Sequence, residues 1–207
     1  MEEQPSRRRE YTEATRAALV DSATRLFAHQ GYVGTSLAQV AAEARLTKGA
    51  VYHHFSGKEA LFEAVLDQLE ESSAATILAA SADRGTTWEG AMAALEAFLD
   101  LCLDPTYQRL CFQEGPIALG FQGWWEAGER HEIGLIKAML TALHHEGLVE
   151  VGDLDALTQV VYGSLTASAL YLARSGDQAA VRDRLSSVVR RLFEGLRPAG
   201  TPALGTP

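Results

Sequence analysis

The chain has 207 residues, 47% of them hydrophobic, which is enough to bury the core of one large domain or two smaller ones and excludes a disordered chain. No apolar run approaches the roughly 18 residues of a membrane span, and the N-terminus lacks the apolar stretch of a signal peptide, so we expect a cytoplasmic protein without a membrane segment. The net charge of −9 argues against a general polyanion binder, yet residues 1–60 hold eight Lys and Arg against seven Asp and Glu, so the acidity belongs to the rest of the chain.

Apolar residues recur at intervals of three and four along nearly the whole chain, and no long alternating Val, Ile and Thr pattern occurs. This periodicity predicts an all-α fold. The first helix is expected over residues 12–30 and ends at Gly31, which can adopt the left-handed conformation of a helix stop. A short second helix begins at Thr35 or Ser36, because either hydroxyl can cap free amides and Ser36 with Gln39 has capping-box spacing.

Two further helices complete the N-terminal part. A tight turn at Arg45 and Leu46 leads to a third helix capped by Thr47, and Ser56 with Glu59 repeats the capping-box spacing at the start of a fourth. Five coarser helices are expected over residues 88–103, 107–114, 120–146, 153–175 and 177–197, which gives about nine in all. Residues 1–11 are predicted to be a disordered arm and residues 198–207 a disordered tail.

The order of the N-terminal helices is that of a helix-turn-helix, whose second helix projects its first side chains into the major groove of DNA. The segment from Thr47 to Leu61 reads T-x-G-x-x-Y-x-x-F-x-x-K-E-x-L, and the pair Gly31-Tyr32 closely follows the first helix. In these features the chain resembles the tetracycline-repressor (TetR) family of transcription regulators. The resemblance implies a DNA-binding domain, at residues 1–60, and an effector-binding and dimerisation domain, at residues 61–197.

The resemblance also implies contacts with double-stranded operator DNA. The residues expected at base edges are Thr47, Lys48, Gly49 and Ala50, and those expected at phosphates are Tyr52 and His53. Because helix N-termini attract phosphate, the residue chemistry adds Lys58 at the fourth helix and Thr35 or Ser36 at the second.

Individual residues in this region have alternative interpretations. Lys48 is the only long cation of the third helix, which favours a guanine contact, although it could touch phosphate alone. Gly49 and Ala50 permit close approach to the groove or simply pack. Arg45 stands where the family usually has Gly, at a position that commonly requires positive φ, so this turn is either strained or slightly different in geometry. The Arg45 side chain either reaches a phosphate or points to solvent. The run of residues 7–9, all Arg, could enter a minor groove or form a solubilising tail.

The resemblance names no effector, so the effector site is predicted from residue chemistry. The candidate residues are Tyr107, Phe112, Gln113, Phe121, Trp124, Trp125, His131 and Tyr162. Aromatic walls with a few polar groups suit a ligand cavity, although they also suit an ordinary core. Few acidic residues lie among them beyond Glu114, Glu126 and Glu129, which favours a small, mainly apolar or aromatic effector over a multiply charged cation. Repression relieved by the effector is the usual direction in the family.

The last two predicted helices carry a second apolar surface. The penultimate helix is apolar on more than one face, and its small residues are Gly163, Ser164, Ala167 and Ser168. The stripe of the last helix is Val181, Leu185, Val188, Leu192 and Leu196. We predict a homodimer through a four-helix bundle formed by these two helices of each subunit.

An enzyme is the first alternative, but the sequence supplies no catalytic motif, and we expect none of the cofactors or metals that enzymes use. The run of residues 144–146, His-His-Glu, lacks H-E-x-x-H spacing, and Gly57-Lys58 lacks the upstream glycine of a phosphate-binding loop. Cys102 and Cys111 are too few for a disulfide scaffold and are predicted to be core residues. The second alternative is a helical protein-interaction adaptor with a non-functional helix-turn-helix.

Overall fold

The computed structural model describes residues 7–198, which form nine α-helices and one π-helical segment and contain no strand. The helices are α1 (Arg7–Gly34), α2 (Leu37–Glu43), α3 (Lys48–His54), α4 (Lys58–Ser81), α5 (Thr87–Leu101), α6 (Pro105–Tyr107), α7 (Gly115–His145), α8 (Leu154–Ala173) and α9 (Gln178–Glu194), with the π-helix at Gln108–Glu114. The predicted all-α fold is confirmed. Among the helices described, none is both long and apolar enough to cross a membrane.

The start of α1 differs from the prediction, and its stop agrees with it. The expected disordered arm ran to residue 11, but the helix begins at Arg7, so residues 7–9 lie in its first turn rather than in an extended arm. Residues 1–6 of that arm, and residues 199–207 of the expected tail, lie outside the described part of the chain. Gly31 breaks the helix with a φ of 77° and a ψ of 168°, as the stop signal indicates.

Capping side chains set the ends of the short helices. Ser36 caps α2 through a complete capping box with Gln39, and Thr47 caps α3 by accepting a hydrogen bond from the Ala50 amide. Both caps match the sequence prediction. The fourth helix differs slightly, since it begins at Lys58, two residues after the expected cap at Ser56.

The chain divides into two compact units. The first comprises residues up to Leu69 together with Arg109–Ala127, and the second comprises Glu70–Gln108 and the residues from Gly128 onward. This division differs from the predicted boundary at residue 60, because residues 109–127 belong with the N-terminal helices. Consequently α4 and α7 each contribute residues to both units.

Each unit has its own apolar core. In the first, the rings of Phe27 and Phe62 meet edge to face at 5.1 Å, and Tyr32 lies 5.4 Å from Phe62. The side chains of α2 and α3 that complete this core are those of Val40, Ala41, Val51 and Phe55. In the second unit, one core cluster comprises Trp88, Met92, Leu143 and Val149. Cys102 and Cys111 are both buried, as predicted.

Candidate DNA interface and effector cavity

The orientation of α3 is fixed by its apolar side chains. Val51 is fully buried and Phe55, the residue after the helix, is 5% exposed, so the four-residue spacing turns one face of α3 into the core. The guanidinium of Arg16 lies 5.3 Å from the centre of the Phe55 ring and covers it. The opposite face of α3 therefore points to solvent.

The exposed face of α3 carries most of the predicted DNA-contacting residues. Thr47, Lys48, Gly49, Tyr52 and His53 are exposed, and Ala50 is half-buried. The Lys48 ammonium lies 5.7 Å from the centre of the Tyr52 ring, so the cation and the aromatic ring form one continuous surface. No acidic residue occurs in α3. Such a face can donate hydrogen bonds to base edges and phosphates without repelling the DNA.

Two residues predicted at helix N-termini are engaged inside the protein. Thr35 is 2% exposed and its hydroxyl donates to the Gly31 carbonyl, so its predicted phosphate contact is wrong. The Lys58 ammonium donates to the carbonyls of Tyr32 at 2.8 Å and Thr35 at 3.1 Å, and lies 4.3 Å from the centre of the Tyr32 ring. Lys58 thus ties the start of α4 to the end of α1. Ser36 is exposed, and its hydroxyl accepts from the Gln39 amide.

The turn between α2 and α3 has the strained one of the two geometries that the sequence allows. Arg45 has a φ of 56° and is exposed. Its amide donates to the Ala42 carbonyl, and the Leu46 amide donates to the Ala41 carbonyl at 2.8 Å. These two bonds form a Schellman motif, in which the left-handed residue is usually Gly. Arg45 therefore occupies a glycine position without a glycine.

A carboxylate from the π-helix fixes the turn after α1. Glu114 is buried, and its Oε2 accepts a hydrogen bond from the Tyr32 amide at 2.7 Å. Its Oε1 lies 3.5 Å from the Nε of Arg109. The backbone of Tyr32 therefore donates to Glu114 through its amide and accepts from Lys58 through its carbonyl, within the first unit.

The second unit contains a cavity that is partly open to solvent. Helices α4, α5, α7, α8 and α9 surround about 790 Å³ of empty space, counting its opening to solvent. Most of its walls are aliphatic or aromatic, including Leu95, Phe98, Ile136, Met139, Leu140 and Val161. Its polar side chains are Glu70, Ser73, Tyr107, His131 and Glu132. Apolar walls with a few polar side chains suit a small organic ligand.

Two of the eight predicted effector residues, Tyr107 and His131, line this cavity. Tyr162 is 3% exposed and does not line it. The other five belong to the first unit, which corrects their prediction as walls of this cavity; they are Phe112, Gln113, Phe121, Trp124 and Trp125. Trp124 is a core residue whose Nε1 donates to the Cys111 carbonyl at 2.6 Å, and Phe121 is 70% exposed beside the two tryptophans.

The sequence analysis missed the two acidic cavity residues, Glu70 and Glu132. Burial and the neighbouring charge of Glu70 raise the pKa of Glu132 to about 8. The hydroxyl of Tyr107 donates to Glu70 at 3.4 Å. The sequence does contain a signal for Glu132. This residue precedes Leu135, Ile136 and Met139 by three, four and seven positions, so an acidic side chain shares their apolar face of α7.

The described residues offer little support for a metal site. Within 7–198, no group of three or more His, Cys, Asp or Glu side chains is placed to hold a metal ion. His144, the first member of the sequence cluster His-His-Glu, contacts the Val149 carbonyl through Nδ1 at 3.1 Å. This contact gives the histidine a structural role at the end of α7.

Two family models match the chain over separate regions. The model described as "Bacterial regulatory proteins, tetR family" matches residues 19–65, which include α2 and α3. The model described as "Tetracyclin repressor-like, C-terminal domain" matches residues 88–196, more than half of the chain. Together they cover the helix-turn-helix and most of the helices around the cavity, but not its α4 wall.

Individual relatives show the same relationship. The TetC protein of transposon Tn10 from Escherichia coli is 24% identical over 195 residues, which cover 94% of this chain and 98% of that protein. The transcriptional regulator TtgR of Pseudomonas putida is 34% identical over 106 residues, half of each chain.

Two solved structures extend the comparison to three dimensions. A TetR-family regulator from Pectobacterium atrosepticum superposes with a TM-score of 0.82 at 31% identity, covering 94% of this chain and 99% of that one. RolR, solved in complex with resorcinol, superposes with a TM-score of 0.70 at 20% identity, covering 95% and 99% of the two chains.

Proposed function

Because the chain belongs to the TetR family of transcription regulators, which bind DNA and are not enzymes, we propose that it is a repressor. In this proposal a homodimer binds a palindromic operator and is released by a small, mainly apolar or aromatic effector. The observation that carries the proposal is the exposed face of α3, braced on its inner side by Val51 and Phe55.

The operator contacts are assigned to the exposed face of α3. Lys48, at the N-terminus of this helix, is placed to donate to guanine O6 or N7, and the small Gly49 allows the backbone to approach the groove. Tyr52 and His53 are assigned to phosphates on either side. Ser36 and Arg45 are exposed near this face and are secondary phosphate contacts in the proposal.

The effector is assigned to the cavity of the second unit, whose apolar walls favour a ligand with a large apolar or aromatic surface. The same fold holds the small aromatic molecule resorcinol in RolR, which supports this assignment. Two of the residues expected from the sequence, Tyr107 and His131, are available for polar contacts with it.

The dimer is assigned to α8 and α9, where four large apolar side chains remain exposed. Val160 is 65% and Tyr171 57% exposed on α8, and Val188 is 55% and Leu192 60% exposed on α9. Isolated exposed apolar residues are common, but this group recurs at helical spacing on adjacent helices. A second copy of the chain would cover these side chains by two-fold pairing.

The coupling between effector binding and operator binding is assigned to α4, which contributes Lys58 to the first unit and Glu70 to the second. These residues are twelve positions apart, about 18 Å along a helix. An effector that displaces Glu70 would move α4, and Lys58 would transmit that movement to the end of α1 through Tyr32 and Thr35. In a dimer, this would change the separation of two recognition helices that must match major grooves roughly 34 to 36 Å apart.

Footprinting and transcription in vitro test the proposal together. On its own upstream DNA, the protein is expected to protect a two-fold symmetric site and to reduce transcription from the overlapping promoter. Increased transcription would show an activator. Absence of any protected symmetric site in a selection from random DNA would favour the adaptor alternative.

A further inference from the structure

Acidic side chains line the cavity of the second unit. Its two carboxylates are Glu70 from α4 and Glu132 from α7, and none of the described lining residues is a lysine or an arginine. The other ionisable side chains on those walls are Tyr107 and His131. The remaining walls are apolar, so a ligand in this cavity meets few polar side chains beyond these and Ser73.

Of the two carboxylates, Glu132 has fewer hydrogen-bond donors. It is closely surrounded by protein and lines the cavity. Within residues 7–198, no hydrogen bond or ion pair reaches its side chain, whereas Glu70 receives the Tyr107 hydroxyl. A buried carboxylate without a donor costs free energy when it ionises. In the empty cavity this cost is reduced by a bound proton, since burial and Glu70 raise the pKa of Glu132 to about 8.

We propose that the effector is an amphipathic amine, with an apolar or aromatic body against the cavity walls and one protonated nitrogen against Glu132 and Glu70. This proposal rests on the assigned role of the cavity and names the chemical class of its ligand. A single cation replaces the proton held by Glu132, and its apolar body fills the rest of the space. An uncharged donor such as an alcohol could form hydrogen bonds there but would carry no charge to pair with an ionised Glu132.

Binding of the amine is linked to the loss of a proton. The amine enters already protonated, Glu132 ionises to pair with it, and the displaced proton goes to solvent. Affinity for the amine therefore rises with pH up to about 8 and then becomes constant. The ionisable groups that act on Glu132 or line its cavity are Glu70, Tyr107, His131, Cys102 and Tyr162.

Calorimetry with matched ligands tests this assignment on the full chain. The probes are phenylalkylamines and the corresponding phenylalkanols, with about two to six methylene groups. We expect the best amine to bind about tenfold or more tightly than its alcohol at about pH 8.5, and this preference to fall about tenfold at about pH 6.5. Equal affinity of amine and alcohol at about pH 8.5, or no binding by any amine at millimolar concentration, would overturn the proposal.

The variant Glu132→Gln isolates the carboxylate, because glutamine has nearly the same shape as the protonated acid. It should abolish the preference for the amine and its pH dependence while leaving alcohol binding unchanged. The matched control is Glu126→Gln, an exposed carboxylate of the same helix, which should retain the preference. A preference that survives in Glu132→Gln contradicts the proposal. Operator binding without ligand is measured separately. If the operator is bound but the preference for the amine is absent, the ligand class is wrong and the repressor assignment stands. If the operator is not bound, the calorimetry still tests the ligand class.

Discussion

At the scale of the residue, two independent features of position 31 disfavour any residue with a β-carbon. Its φ of 77° is strained for any other residue, and a β-carbon would lie 2.7 Å from Oε1 of Glu114. Gly31→Ala is therefore expected to lower the free energy of unfolding by about 2 to 3 kcal/mol, measured by urea denaturation. The control Gly120→Ala has a similar φ of 68° but meets nothing within 4 Å, so it should lose only about 1 kcal/mol. Equal losses would show that Glu114 moves aside freely.

Arg45 presents the opposite case, a left-handed position occupied by a residue with a side chain. Arg45→Gly removes the strain at φ 56° and should raise the free energy of unfolding by about 0.5 to 1 kcal/mol. The same variant tests the phosphate contact, because a real contact would make operator binding weaker even as the protein becomes more stable. If stability falls, the strain argument for this turn is wrong.

The sequence was most informative for residues whose role is local. The stop at Gly31 and the caps at Ser36 and Thr47 depend on residues a few positions apart, and each is found as predicted. At Arg45 the sequence left two geometries open, and the φ of 56° is the strained one. Thr35 illustrates the limit. Its type suits a helix cap, but whether its hydroxyl faces DNA or the Gly31 carbonyl depends on packing that the local sequence does not encode.

At the scale of the element, α9 has more apolar surface than its own subunit covers. Val188 and Leu192 lie one helical turn apart, and both are more than half exposed. Replacing both by Asp should convert the dimer to a monomer at micromolar concentration, because two charges would be buried in each half of the interface. Sedimentation velocity measures this change.

The control for this experiment is Ala179→Asp, also on α9. Ala179 is exposed and lies about half a turn around the helix from Val188. This variant should remain dimeric. A wild-type chain that sediments as a monomer, or a double variant that remains a dimer, would contradict the assignment of the interface to α8 and α9.

The spacing of apolar residues predicted the helices but not the cavity. The aromatic residues of 112–125 look like ligand contacts in sequence, yet they belong to the first unit, because residues 109–127 group with the N-terminal helices. That association depends on long-range contacts such as Glu114 with the Tyr32 amide, 82 positions apart. The two cavity acids were overlooked because an acidic residue on an apolar stripe was not weighed as a functional signal.

At the scale of the whole molecule, two partly buried glutamates make the free energy of unfolding depend on pH in opposite directions. Burial opposes ionisation of Glu96, but hydrogen bonds from Ser186 and Arg190 and the charges of Arg190 and Arg182 lower its pKa. Its contribution to stability is present above its unfolded pKa and is lost in acid. Glu132 has a raised pKa, so its contribution is full below the unfolded value near 4.5 and is lost as the pH rises towards about 8.

The variant Glu132→Gln tests the alkaline side of this balance. Without a carboxylate to ionise, the protein should have a higher melting temperature than the wild type at about pH 9. Near pH 5, where Glu132 is protonated in the folded state, the two proteins should melt within a few degrees of each other. Thermal unfolding followed by circular dichroism at both pH values measures the difference. A variant that is less stable at alkaline pH would show that ionised Glu132 is stabilised by its surroundings.

The central claim is that α3 reads operator DNA, and fluorescence anisotropy with the chain's own upstream DNA tests it most directly. The wild type should bind a palindromic site tightly and lose affinity as salt increases, whereas Lys48→Ala should bind about tenfold or more weakly and discriminate less between sequences. Arg84→Ala, which alters an exposed cation after α4, should bind like the wild type. Binding of the palindrome no tighter than of random DNA, or an affinity unchanged by Lys48→Ala, would contradict the account.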